Sequence, residues 1–317
     1  MAQQVNSRRG VLAALAICTA ALLGCGKTEV VSVDGSSTVY LISAAVAEKF
    51  HDVNPSIAVV VSQSGTGGGF KKFAAGEIAI CDASRPITDA EAKACAAAGI
   101  EYVELQVAFD GLAVVVNPKN DWCDELTVEQ LKTIWRKESK DSIMHWSDVN
   151  PDWPDEAFKL YGPGADSGTF DYFTEVINGE ARSCRSDYSP SENDNALVTG
   201  VAGDKGSLGY FGLGYYIENK DKLKLLRVDS GGGGVEPSPQ TVRDGTYKPL
   251  SRPLLIYVRL SELKNPNMIE FLNYYLKEAN RLAEQVGYIG ITDEIAQQNR
   301  ERLDAAVKQV SKPSPAA

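Results

Sequence analysis

Only two histidines, His51 and His145, occur among 317 residues, and no two cysteines form a Cys-x-x-Cys pair. That scarcity argues against a zinc or iron–sulfur centre and supplies no Asp/His cluster for a two-metal hydrolase. The glycine run at 65–69 is not a P-loop, because no Gly-Lys-Ser/Thr follows it at the required spacing. Positive net charge is missing too: 32 basic against 42 acidic residues leave −10, which excludes nucleic-acid binding through bulk charge. No repeat with a period of about 20–50 residues is found. After the N-terminal segment, no apolar run is long enough to cross a bilayer.

What the N-terminus does contain fixes the compartment. Behind Arg8 and Arg9, residues 11–23 are almost unbroken apolar sequence, too short to span a bilayer and flanked like a secretory signal. Leu22-Leu23-Gly24-Cys25 resembles a bacterial lipobox. Residues 1–24 are therefore expected to be a signal peptide and Cys25 the lipidated first residue of the mature chain. The expected location is extracytoplasmic, in the periplasm or on the cell surface, with the lipid holding the protein to a membrane. Ser7-Arg8-Arg9 leaves both the twin-arginine and the general export route open. Cys18 departs with the signal, leaving Cys81, Cys95, Cys123 and Cys184 in an oxidising compartment. Three pairings are open to them, with Cys81–Cys95 and Cys123–Cys184 as the working choice. Cys81, closing an apolar strand, also reads as a buried thiol.

Residues 29–33 alternate like a strand, then Val39, Ile42, Val46 and Phe50 recur at helical spacing. Strand 57–61, the glycine-rich turn 64–69, a short helix 70–75 and strand 78–81 repeat the succession. Such alternation predicts a mainly parallel sheet with helices on both faces. Further on, the spacing predicts a helix over 89–98, two β-rich pieces around Asp110-Gly111, and a helix to Trp135 capped by Thr127. It also predicts strands 158–161, 207–211 and 254–258, a helix over 170–177 and a long amphipathic helix over 268–282. The chain crosses near 108–111 and returns near 250–256, which suits two α/β lobes. Residues 25–108 and 253–310 would form one lobe and 109–252 the other, with 311–317 a disordered tail.

Four turns share one design. Ser36-Ser37-Thr38, Ser64-Gly65-Thr66-Gly67, Ser84-Arg85 and Ser167-Gly168-Thr169 each follow a strand, and all but Ser84-Arg85 plainly open a helix. Parallel-sheet logic gathers them at the carboxyl edge of the strands, where ligands bind. Helix N-termini present free N–H groups and a positive dipole end, hydroxyls add donors, and glycine allows close backbone approach. A tetrahedral oxyanion stripped of water needs about ten donors, a number four such turns supply together. Taken singly, each turn also reads as an ordinary N-cap.

Asp34-Gly35-Ser36-Ser37-Thr38-Val39-Tyr40, the turn Ser64 through Phe70, Asp82-Ala83-Ser84-Arg85-Pro86-Ile87 and Asp166-Ser167-Gly168-Thr169-Phe170 occur in order along the mature chain. As a set they resemble the phosphate-binding proteins and lipoproteins that feed phosphate ABC transporters. The resemblance implies a type II periplasmic-binding-protein fold, with two α/β lobes joined by two hinge strands. It implies phosphate contacts from Ser37, Thr38, Thr66, Ser84, Arg85, Ser167, Gly168 and Thr169. It also implies a membrane permease as partner and a monomer without cofactor, metal or catalytic activity. Some relatives carry an arginine just before the Ser-Gly-Thr turn. Here that stretch is Tyr161-Gly162-Pro163-Gly164-Ala165, which leaves Arg85 as the expected cationic ligand. Asp82, with Asp166 in reserve, is the expected acceptor for the proton of phosphate, a device that rejects sulfate. Sulfate, molybdate or a phosphonate in the same pocket is the alternative. A phosphoester hydrolase using Ser37 or Ser167 lacks a neighbouring base in the sequence.

Overall fold

The computed structural model describes residues 30–165 and 167–311. The expected signal peptide over 1–24, Cys25, Glu29, Asp166 and residues 312–317 lie outside the described residues.

β1 (Val30–Gly35) leads into α1 (Ser37–Val53), and β2 (Ala58–Val61) into α2 (Thr66–Ala74). β3 (Ile80–Ala83) follows, then α3 (Asp89–Ala97). The helical spacing of Val39, Ile42, Val46 and Phe50 gives α1 one apolar face, and all four side chains are buried. Each contributes about 1.5–3 kcal/mol by leaving water. α2 begins four residues earlier than the sequence suggests, inside the glycine run. A Cβ on Gly69 would lie 2.6 Å from Gly35 Cα, so glycine there lets the helix approach β1.

β4 (Tyr102–Val116) is one continuous strand of 15 residues, not two pieces. β5 (Glu125–Thr127) precedes α4 (Val128–Trp135), capped as expected by Thr127, which accepts from the Gln130 N–H. β6 (Lys159–Pro163), α5 (Gly168–Phe173), β7 (Ser189–Ser191), α6 (Asp194–Gly203), β8 (Ser207–Gly212) and α7 (Leu213–Asn219) build the second lobe. The short strands β9 (Lys224–Leu225), β10 (Arg227–Asp229) and β11 (Gly234–Val235) and the helix α8 (Pro239–Arg243) complete it. β12 (Ser251–Arg259) returns to the first lobe, followed by α9 (Pro266–Gln285) and α10 (Asp293–Ser311). Ser311, assigned to the tail from composition, is the last residue of α10.

The main sheet runs β2-β1-β3-β12-β4-β8-β6-β7, with β9 also on β4. β4 is what joins the lobes. Tyr102 through Gly111 pair antiparallel with β12, and Leu112 through Val116 pair antiparallel with β8. A register shift between Leu254 and Leu255 marks a β-bulge beside this change of partner, where local twist re-aims the strand. A third segment touches the hinge: Phe109 and Ile289 exchange backbone hydrogen bonds at 2.8 and 2.9 Å. The cores follow the division. Ile42, Phe50 and Phe271 lie on one face of the first sheet and Phe70, Phe73 and Tyr257 on the other, while Val114, Trp135 and Tyr210 belong to the second lobe.

Candidate anion-binding site

The first turn is built by Ser36. Its hydroxyl accepts from the N–H groups of Thr38 at 3.2 Å and Val39 at 3.4 Å, capping α1 and leaving Ser37 free of that duty. Ser36 N–H donates to Asp82 O at 2.9 Å. Gly35 is needed for that approach: at φ 144° a Cβ would stand 2.1 Å from the same carbonyl.

In the second turn Gly65 is the N-cap of α2 and has no side-chain hydrogen bond. The first N–H groups of that helix therefore carry no internal side-chain acceptor, an arrangement suited to an anion. Thr66 Oγ1 accepts from the Ser84 N–H at 3.2 Å and lies 3.2 Å from Ser84 Oγ, tying the second turn to the third. In the fourth turn Ser167 caps α5, accepting from the Thr169 N–H at 3.2 Å. A Cβ on Gly168 would lie 2.4 Å from Thr38 Oγ1 and 2.9 Å from Ser37 Oγ. The fourth turn of one lobe thus closes directly on the first turn of the other.

At this junction stands a residue the sequence reading missed. Arg252, on β12, donates through Nη2 to Thr38 Oγ1 at 2.8 Å and through Nη1 to Ser84 Oγ at 3.1 Å. The same Nη2 reaches Gly168 O at 3.4 Å, and the guanidinium lies 3.7 Å from the centre of the Tyr172 ring. Its Nε and Nη2 donate to Asp110 Oδ2 at 3.1 and 3.0 Å. Asp110 is 1% exposed, and its Oδ1 is buried without a partner. Burial pushes the Asp110 carboxyl above the ordinary carboxylate range, and Arg252 opposes that rise. One signal for Arg252 was present in the sequence: Ser251-Arg252-Pro253 repeats Ser84-Arg85-Pro86.

Arg85, the cation expected from the sequence, is committed elsewhere. Both terminal nitrogens donate to Glu91 at 2.9 Å, and the side chain is 38% exposed. Asp82 does not face the turns. Its carboxyl accepts from Ser43 at 2.9 Å, Ser43 lies 2.8 Å from the Tyr275 hydroxyl, and burial pushes the carboxyl well up. Strand alternation explains this: Ile80 and Asp82 point beneath α1, while Cys81 points towards Phe70. Asp166 lies outside the described residues.

Beside the turns is a cavity of about 280 Å³, lined by Ser37, Ser167, Gly168 and Thr169 together with Tyr40, Asp194 and Tyr215. Neither histidine is among its lining residues: His51 is in the last turn of α1 and His145 stands beside Asp148. Among the described residues no group of three or more His, Cys, Asp and Glu is placed to hold a metal ion. Cys81, Cys95, Cys123 and Cys184 are all free thiols, so the working disulfide choice is not formed. Burial pushes the Cys123 and Cys184 thiols up to about 12.

A family model described as "PBP superfamily domain" matches residues 25–279. The "Phosphate-binding protein PstS" of Staphylococcus saprophyticus is 39% identical over 283 residues, covering 88% of this chain and 86% of that protein. The crystal structure of "a possible phosphate binding protein" from Planctomyces limnophilus is 49% identical, with a TM-score of 0.85 over 88% of this chain and 98% of that one. An "ABC-type phosphate transport receptor" from Vibrio cholerae is 26% identical, with a TM-score of 0.64 over 82% and 99%.

Proposed function

This chain belongs to the PBP superfamily, and on that footing we propose that it binds inorganic phosphate between its lobes for delivery to an ABC importer. One convergence carries the reading: Thr38 and Ser84 of one lobe and Gly168 of the other all meet the guanidinium of Arg252. An anion there is met by donors from both lobes, and the second lobe's donors are available only when the cleft is shut. Occupancy therefore favours the closed form.

Ser37, Thr38, Thr66, Ser84, Ser167, Gly168 and Thr169 supply hydroxyl and N–H donors. Arg252 is the central cation, and Arg85, paired with Glu91, is the second. Asp110 takes the acceptor role expected of Asp82 or Asp166, since its Oδ1 is buried and unpartnered next to Arg252. A protonated phosphate can satisfy that oxygen, whereas sulfate has no proton to give at neutral pH. The lobes are 25–108 with 253–310, and 109–252, a division supported by the partner change of β4 at Gly111–Leu112. Removal of a signal peptide over 1–24 leaves Cys25 as the first residue, and a lipid on it tethers the monomer near its permease. The name of the Staphylococcus relative supports the ligand, and that of the Vibrio receptor supports both ligand and transport role.

Calorimetric titration of ligand-stripped protein with phosphate and then sulfate tests the reading. Phosphate heat with sulfate silence is expected. Silence with both, from protein shown to be refolded, overturns it.

A further inference from the structure

Asp34 precedes the first turn and belongs to none of the expected ligand groups, yet it is a carboxylate only 4% exposed. Burying such a group is costly unless it is paired and hydrogen-bonded. Here both oxygens are used. Oδ1 accepts from the Ser64 hydroxyl at 2.7 Å, and Oδ2 accepts from Lys72 Nζ, which also forms an ion pair with it. The two partners bracket the second turn: Ser64 stands just before Gly65, and Lys72 lies in α2, the helix that turn opens. The backbone adds a parallel tie, since Ser64 N–H donates to Gly35 O at 3.0 Å.

We propose that Asp34 is a positioning residue for the anion site, holding the second turn at a fixed distance from the first. The inference rests on the phosphate reading above. Ser64 has one hydroxyl proton, and it is given to Asp34; Ser64 is therefore a strut, while Thr66 beside it faces Ser84. A neutral acceptor would satisfy Ser64 alone. A carboxylate satisfies Ser64 and the Lys72 ammonium together, clamping both ends of the segment that presents the N-terminal N–H groups of α2. Such clamping places donors before the anion arrives, so less conformational freedom is lost on binding.

The test is phosphate titration, with thermal unfolding measured in parallel, of the unaltered protein and of Asp34→Ala, Asp34→Asn, Ser64→Ala and the Asp34→Ala/Ser64→Ala double variant. Asp34→Ala is expected to raise Kd by about tenfold or more. Asp34→Asn, which keeps an acceptor for Ser64, should recover part of that loss. Ser64→Ala should weaken binding by a few-fold, and the double variant should bind no more weakly than Asp34→Ala alone, because both remove one strut. Unchanged Kd in folded Asp34→Ala and Ser64→Ala, with only the unfolding midpoint lowered, overturns the proposal. Should Asp34→Ala fail to fold, Ser64→Ala decides alone: unchanged affinity there overturns it. Failure of the unaltered protein to bind phosphate would instead overturn the functional reading, and this inference with it.

Discussion

Arg252 and Asp110 face each other in the β4–β12 register, and two guanidinium nitrogens reach one carboxylate oxygen at 3.0 and 3.1 Å. Both residues sit where the chain passes between lobes, so the cation that touches three of the four turns is carried by the hinge itself. A side chain in that position meets Thr38 and Ser84 from one side and Gly168 from the other.

Arg252→Gln is expected to weaken phosphate binding by about 1.5–3 kcal/mol, the value of a charge-assisted donor to a buried anion. Arg252→Lys should not restore it, since one ammonium cannot reproduce a fork that reaches Thr38, Ser84 and Asp110 together. Titration calorimetry of both variants checks this, with far-UV circular dichroism to confirm folding.

Asp110→Asn should narrow the gap between phosphate and sulfate. The amide offers a donor where the carboxylate accepts, so phosphate loses a partner for its proton and sulfate gains one. Competition titrations with the two anions near neutral pH would show the ratio of affinities falling by about tenfold; an unchanged ratio would remove Asp110 from the discrimination.

Gly168→Ala should hinder closure. The added methyl would stand 2.4 Å from Thr38 Oγ1 and 2.9 Å from the Thr38 backbone nitrogen, contacts that a turn pinned by the Ser36 cap cannot yield cheaply. Small-angle scattering with and without phosphate should then show a smaller contraction, and Kd should rise by about tenfold or more.

Cleft charge has a consequence for salt. Arg252 is paired with Asp110 and Arg85 with Glu91, so these two cations are already balanced, and binding leans on N–H and O–H donors at contact distance. Such contacts are poorly screened. Affinity for phosphate should therefore change by no more than about threefold between low and moderate salt.

Asp194, on the cavity wall, gives a pH signature. Burial, with Glu192 beside it, pushes its carboxyl up to about 6 from 3.8. A raised carboxyl contributes stability that is complete below about pH 4 and is lost as pH rises through about 6. Between pH 4 and 7 that loss should amount to about 1–2 kcal/mol after allowance for solvent screening. Asp194→Asn should lack it, so its unfolding midpoint should fall less than that of the unaltered protein over the same range.

How much was legible in the sequence depended on distance along the chain. The caps Ser36, Thr127 and Ser167 act within three residues, and local pattern sufficed for the turns they open. Arg252 and Asp110 are 142 positions apart and meet only through the antiparallel register of β4 and β12. Nothing local distinguishes such a pair beyond the repeated Ser-Arg-Pro. Asp82 stands next to a turn without facing it: period-two alternation on β3 sends that side chain under α1, to Ser43. Arg85 carries its charge in a turn, but Glu91, six residues on, engages the same guanidinium.

On the proposed reading the hinge arginine Arg252, not the turn arginine Arg85, is the principal cation of the phosphate site. Phosphate titration of Arg252→Gln and Arg85→Gln side by side tests it most directly. The expected result is a loss of about tenfold or more for Arg252→Gln and a clearly smaller one for Arg85→Gln. A larger loss for Arg85→Gln, with Arg252→Gln binding as the unaltered protein does, would contradict it.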